Sequence, residues 1–331
     1  MKIVVVSGGV GGARFLQGLV AAVAPADEVT VVVNTADDLW LFGLRVCPDL
    51  DTVMYTLGDG IDTGRGWGRT DETWNAKHEL AAYGLDETWF GLGDRDLATH
   101  LLRSMRLREG RTLSEATDEL VGRWSPGTDL GRVRVLPMSD DEVETHIATT
   151  VDGTDTVIHF QEFWIRHGAR VPVRAVEYRG IESARPAPGV LDAIAAADVV
   201  VLPPSNPIVS VGPVVAVPGV AAALRSASAP VVGVSPIISG AAVRGMADQL
   251  LTGLGVEVSA GAVARHHGAR SADGILDGWL VDTADADQVA GVESAGISCR
   301  AVPLWMRDPA TTRQLATDVL GLAGDLRDGG R

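Results

Sequence analysis

Short β-branched runs and longer helical patterns alternate along this chain. Residues 2–6 (KIVVV) and 29–33 (VTVVV) are short β-branched runs with apolar residues on both faces, as strands covered on both sides of a parallel sheet must be. Between them Ala13 to Ala24 has helical spacing and stops at Pro25, so the chain opens as a βαβ unit. The pattern then changes. DETWNAKHELAAYG, DRDLATHLLRSMRLREG and TLSEATDELVGRW are three helical stretches with no strand signal among them, which predicts a helical insertion over 62–130. Strand signals return at 132–138, 155–160 and 171–178. DVVVLPPSNP (198–207) and APVVGVSPI (229–237) read as parallel core strands, each followed by a loop and a helix. Further strands are expected near 256–259, 278–282 and 298–304, with a last helix from about 309. The pattern predicts a single α/β domain over 1–331: a Rossmann-like, doubly wound, mainly parallel sheet carrying the helical insertion.

The first strand runs into VSGGVGGARF. Strand, glycines and helix are the geometry in which backbone N–H groups face an anion. A P-loop would need a Lys after its last glycine, and none is present. The dinucleotide fingerprint fails as well, because Arg14 stands where helix–strand packing demands a small residue. A dehydrogenase is disfavoured on that ground. In the first helical turn the Arg14 guanidinium could fork onto a phosphate. Ser7, Gly8, Gly9, Val10, Gly11, Gly12 and Arg14 are therefore candidate nucleotide-binding residues.

Four acids follow the second strand: Asp37 and Asp38 in NTADDLW, then Asp49 and Asp51 in CPDLD. Carboxylates at a strand's carboxyl end, opposite a phosphate loop, suit Mg²⁺ held by one or two acids plus phosphate oxygens. Asp37, Asp38 and Asp49 are the candidate metal ligands. Helix capping would explain single members of the group. An extended segment would put Asp49 and Asp51 on one face; a helix would separate them by about 200°, so that at most one aims at the site.

Other polar islands lie at FGLGDRDLATH, with Asp94 and His100 around a helix start, and at LPPSNPIVSVGP. In the latter, Ser205 and Asn206 end a core strand and suit a phosphate or a base edge. VSPIISGAAVRGMAD repeats the theme with Ser235 and Arg244. His146, His159, His266 and His267 have no ligand spacing, and His159 reads as a packed strand residue. No G-x-S-x-G motif or reactive cysteine arrangement points to covalent catalysis.

A net charge of −15 argues against nucleic acid as a partner but not against a nucleotide. Cys47 and Cys299 lie far apart without metal spacing, which fits a reducing, cytoplasmic setting. The four apolar residues before Ser7 are too few for a signal peptide, and no apolar run reaches the roughly 20 residues of a membrane span.

Taken together, SGGVGGARFLQGL, NTADDLWLFGLRVCPDLDTVMYTL, RGWGRTDETW, GLGDRDLATHLLRS, LPMSDDEVETHI, IHFQEFWIR, PPSNPIVSVGP and VSPIISGAAVRGMAD follow one another in a familiar order. The chain resembles the 2-phospho-L-lactate transferase family (CofD; FbiA in actinobacteria) from Met1 to about Leu304. The resemblance implies Mg²⁺, a homodimer and a guanosine-diphosphate-linked three-carbon acid as donor. The phosphorylated acid would pass to a ribityl hydroxyl of the deazaflavin Fo, with release of GMP, in the making of coenzyme F-420. On that pattern Asp37 and Asp51 are the catalytic candidates. Asp51 and Gly91 match positions that contact Fo, and Asp94 and His100 are read with them. Because position 91 is glycine, any contact there must come from backbone. GGVGGARFL and RGWGRTDETW resemble the actinobacterial branch, which implies an enolpyruvyl donor and dehydro-F-420-0 as product, with a lactyl donor and F-420-0 the variant. A second class remains open: non-catalytic nucleotide-binding regulators of the gluconeogenesis-factor-like branch, which share the N-terminal loop. PDLDTVMYTL and RGWGRTDETW look like the transferase branch instead.

Overall fold

The computed structural model describes residues 1–329. Its strands, in chain order, are β1 (Lys2–Ser7), β2 (Glu28–Val33), β3 (Leu39–Leu41), β4 (Leu44–Val46), β5 (Val133–Pro137), β6 (Glu144–Val151) and β7 (Thr154–His159). There follow β8 (Ala175–Arg179), β9 (Val199–Leu202), β10 (Val231–Val234), β11 (Ile237–Ile238), β12 (Ala241–Ala242), β13 (Gly278–Val281) and β14 (Ser298–Ala301). Seven of them form one sheet in the order β14-β13-β10-β9-β1-β2-β5. Every pairing in that sheet is parallel. Apolar residues on both faces of each strand explain why. Ile3 and Val5 enter one core layer, Val4 and Val6 the other, so each strand needs helices on both faces. The strand order reverses between β1 and β9, where an open α/β sheet places its ligand crevice.

Helix α1 (Gly9–Ala22) follows β1, and α2 (Pro48–Leu57) follows the β3–β4 hairpin. Beyond it lie α3 (Asn75–Ala82), α4 (Asp96–Arg108) and α5 (Leu113–Trp124). Helix α5 opens with a full capping box: the Thr112 hydroxyl accepts from the Glu115 N–H, and the Glu115 carboxylate accepts from Thr112. A long C-terminal helix (Pro309–Gly329) packs against α1, where the Thr312 carbonyl lies against Gly18. Among the described residues no single helix is long and apolar enough to cross a membrane.

Three expectations change. The helix after β1 begins at Gly9 rather than Ala13, so the glycines are its first turn. No strand forms at 256–259, because Ser259 instead caps the helix Ala260–His267 by accepting from the Ala262 N–H. Strand β6 was not foreseen. Its buried face alternates Thr145, Ile147 and Thr149, and threonine on a covered face hides the period. It forms the centre of a separate antiparallel sheet, β7-β6-β8.

Candidate active site

A cleft of about 1050 Å³ opens over the strand-order reversal. That exceeds the ~300–1,000 Å³ of ordinary small-molecule pockets, and suits two ligands side by side.

Its first end is the start of α1. Gly8 is extended and brings no capping side chain, so apart from Gly9, whose N–H meets Asp49, the first-turn N–H groups remain available for an anion. Gly9 takes φ +68°, which an L side chain rarely adopts. A Cβ on Gly11 would stand 2.6 Å from the Pro204 carbonyl, so only glycine lets the β1 and β9 loops touch. The Ser205 hydroxyl ties them further by donating to the Gly8 carbonyl at 2.8 Å. Asn206 Oδ1 accepts from the Ile208 and Val209 N–H groups at 2.9 and 3.2 Å, which commits its oxygen and leaves its amide nitrogen for a ligand. Arg14 is exposed on the cleft wall, and its Nη2 donates to the Arg307 carbonyl at 3.1 Å.

Beside this end lie Asp37 and Asp49, both buried. Asn34 organises them: its Oδ1 accepts from the Ala36 N–H at 3.0 Å, and its Nδ2 donates to Asp49 Oδ2 at 2.9 Å and to the Val209 carbonyl at 3.1 Å. Asp37 Oδ1 has no hydrogen-bond partner. Burial first, and the Asp49 charge second, push the Asp37 carboxyl well above its ordinary range. Burial raises Asp49 to about 6, opposed by hydrogen bonds from Asn34 and the Gly9 backbone. Two adjoining buried carboxylates, one with an orphaned oxygen, are a donor set suited to a hard divalent cation.

The middle of the cleft is a buried polar network. Arg103, 1% exposed, forks onto Asp51: Nη1 donates to Oδ2 at 3.2 Å and Nη2 donates to Oδ1. Arg103 Nη1 also donates to the Arg45 carbonyl at 3.3 Å. His100 lies between two carboxylates, Nδ1 at 3.6 Å from Asp51 Oδ2 and Nε2 at 3.3 Å from Asp96 Oδ2. The Tyr55 hydroxyl bridges Asp96 Oδ1 at 2.6 Å and Thr99 Oγ1 at 2.7 Å. Burial pushes the Asp96 carboxyl up, but the nearby His100 ring and the hydrogen bond from Tyr55 outweigh it and hold it below its ordinary value. Asp96, His100 and Arg103 fall at i, i+4 and i+7, one face of α4.

The far end is aromatic. Trp67 and Trp74 meet edge to face at 6.4 Å between centroids, and the Arg65 guanidinium lies 5.3 Å from each ring. Trp89, Phe90 and Trp164 complete a wall fit for a flat ring system. At Gly91 a Cβ would meet the Trp74 ring at 3.3 Å, so this position can offer only backbone.

Most of the residues singled out from sequence share this cleft: Gly8, Gly9, Val10, Gly11 and Arg14 at one end, then Asp37, Asp49 and Asp51, and Gly91, His100, Ser205 and Asn206. Both Asp49 and Asp51 reach it although the segment is helical, against the expectation of one. They stand in the first turn of α2, whose end points into the cleft, so side chains splaying from it need not share a face. Ser7 and Gly12 lie beneath the wall: a Cβ on Gly12 would come 2.0 Å from the Ser7 hydroxyl. Asp38 is also off the wall, with Oδ2 3.6 Å from Arg45 Nη2. Burial outweighs the Arg45 charge and raises Asp38 to about 7, which fits a pair that makes no hydrogen bond to either Asp38 oxygen. Asp94 is consumed by the start of α3, accepting from Thr73, Asn75 and the Ala76 N–H, which hold it near 2. Among the described residues no three acids, cysteines or histidines gather as a metal cluster. Sequence reasoning missed Tyr55, Arg103, Asn34 and the tryptophan wall; the face shared by Asp96, His100 and Arg103 was the available signal.

A parallel sheet with this order, a helix start at its switch point, and a cleft with polar and aromatic halves define an α/β protein of Rossmann-like fold. The profile of 2-phospho-L-lactate transferase CofD matches residues 3–300, and the chain belongs to that family. It is 56% identical to a phosphoenolpyruvate transferase of Kitasatospora aureofaciens, over 99% of this chain and 100% of the relative. It is 58% identical to one of Streptomyces griseus, again over 99% of this chain and 100% of the relative. One of Nocardia farcinica is 54% identical over 98% of this chain and 95% of the relative. In fold it is similar to a crystal structure of a Bacillus halodurans protein, with TM-score 0.62, 19% identity, and 96% and 99% of the two chains covered. A second crystal structure, of a UPF0052 family member from Bacillus halodurans, gives TM-score 0.60 at 17% identity and the same coverage.

Proposed function

We propose that this transferase moves a phosphoenolpyruvyl group from a guanosine-diphosphate-linked donor to the deazaflavin Fo in coenzyme F-420 biosynthesis. The observation that carries the reading is one cleft with two unlike ends, an anion-binding helix start and a tryptophan wall, joined by buried acids. The relatives named phosphoenolpyruvate transferase favour the enolpyruvyl donor over the lactyl one.

In this reading the diphosphate lies against the α1 first turn and Arg14, and guanine meets the Asn206 amide nitrogen. Fo stacks in the aromatic half with its ribityl chain toward Asp51. The ribityl hydroxyl oxygen attacks the phosphorus that bears the three-carbon acid. The bond from that phosphorus to the bridging oxygen breaks, and GMP leaves with the electron pair. The hydroxyl proton passes to a carboxylate or to solvent. Such transfer is mainly positioning and charge stabilisation. Asp51, held by Arg103, accepts a hydrogen bond from the attacking hydroxyl and fixes its direction; His100, Asp96 and Tyr55 hold that arrangement from behind. Asp37 and Asp49 would hold Mg²⁺, which supplies positive charge to the diphosphate. A homodimer belongs to the same reading.

Calorimetry tests the two-ligand cleft. GDP should bind in preference to NAD, and Fo should bind whether or not GDP is present. Preferential NAD binding, or displacement of Fo by GDP, overturns the reading.

A further inference from the structure

Four cations, Arg14, Arg65, Lys77 and Arg244, line the cleft of a chain whose net charge is −15. Three have evident places. Arg14 stands at the phosphate end. Arg65 is neutralised by Asp62 at 2.9 Å and braces two tryptophans. Lys77 lies over Trp74 at 5.7 Å, in the aromatic half.

Arg244 differs. It comes from the loop after the β11–β12 hairpin, on the β10 side of the sheet, and reaches across the mouth to the 61–69 segment that carries Trp67. There its Nη2 donates to the Arg65 carbonyl at 3.0 Å. A Cβ on Gly66, which has φ +73°, would come 2.7 Å from the same nitrogen. Like Arg14 and Lys77, among the described residues it has no carboxylate within ion-pair distance, and one neutral oxygen engages a group with five N–H donors. A cation left without a counter-charge inside a strongly acidic protein, at the junction of two ligand sites, is placed for an anion that arrives with the substrate.

We propose that Arg244 binds the carboxylate of the transferred three-carbon acid, an inference that rests on the donor assigned above. That donor carries two kinds of anion. The α1 first turn, Arg14 and the acid-held cation serve the diphosphate, and none of these is left for the carboxylate. Burying a carboxylate unpaired beside tryptophan rings is costly. The guanidinium fork matches it with two parallel N–H···O bonds. Because Arg244 also bridges the mouth, the carboxylate would be enclosed by the loop that recognises it. The carboxylate is common to enolpyruvyl and lactyl donors, so Arg244 recognises both and does not choose between them.

The test is Arg244→Gln, with Arg244→Lys beside it. Arg244 is exposed, so neither variant threatens folding. Losing a charge-assisted pair should raise the donor KM roughly 10- to 100-fold, by the same factor for both donors. The Kd of GDP, which has no carboxylate, and of Fo should stay within about twofold, with lysine recovering part of the loss. An unchanged donor KM overturns the assignment. So does an equal loss of GDP affinity, which would make Arg244 a phosphate ligand, or a loss confined to Fo. A wild-type protein that binds neither GDP nor donor overturns the underlying reading, and this one with it.

Discussion

Replacing Arg103 by methionine should expose how the centre of the cleft is held. Arg103 is 1% exposed and donates to both oxygens of Asp51 and to the Arg45 carbonyl. Arg103→Met keeps most of the stem volume but leaves the Asp51 carboxylate, 4% exposed, without the guanidinium that pairs with it. Removing one partner of a buried pair costs about 3–5 kcal/mol, chiefly because the survivor is uncompensated. Asp51→Asn together with Arg103→Met removes both charges, so the double variant should be more stable than the sum of the two single losses predicts, by about 2 kcal/mol or more. Urea unfolding of all four proteins at pH 7.5, with unchanged slope, gives that coupling energy. A single loss below about 1 kcal/mol with coupling within about 0.5 kcal/mol of zero would refute the reasoning. Asp51 would then not depend on Arg103 for its place.

Asp37→Asn should abolish magnesium-dependent turnover without unfolding the chain. Because the folded state favours the protonated Asp37, the wild type loses stability as pH rises above about 3.8, so the variant should gain on it from there upward and be at least as stable at pH 8; near-normal activity across a magnesium titration would make Asp37 a structural acid only. Asp49, raised from 3.8 to about 6, gives the folded state more bound protons between those values. Metal-free stability should therefore fall as pH rises through about 4 to 6, and magnesium should recover more of it at pH 7.5 than at pH 5; a thermal-melting profile that does not fall in that window removes the effect. Gly11→Ala drives a Cβ to 2.6 Å from the Pro204 carbonyl and should weaken GDP binding at least about tenfold; unchanged GDP affinity would place the nucleotide elsewhere.

The sheet was legible because KIVVV, VTVVV and DVVVL each carry consecutive apolar residues that fall on both faces, a pattern that needs cover on both sides. The glycine run showed where an anion could sit, but its spacing hid that the helix already starts at Gly9. What escaped were features that depend on long-range closure. Nothing local says that Asp51 meets Arg103 across 52 residues, or that Arg244 meets Arg65 across 179. Asp38 and Asp94 read as equals of their neighbours in sequence. Folding gives the first to a buried site beside Arg45 and the second to the α3 N-terminus, and neither reaches the wall. Asp49 and Asp51 show the reverse case, because a helix end pointing into a cleft relaxes the rule that its side chains must share a face.

The most direct measurement is the mass of the product formed from Fo, Mg²⁺ and equal concentrations of enolpyruvyl- and lactyl-diphosphoguanosine. GMP release should be coupled to an Fo phosphodiester bearing enolpyruvate, dehydro-F-420-0, as the main species. A dominant lactyl product would contradict the choice of donor, and intact Fo with no GMP would contradict the transferase reading itself.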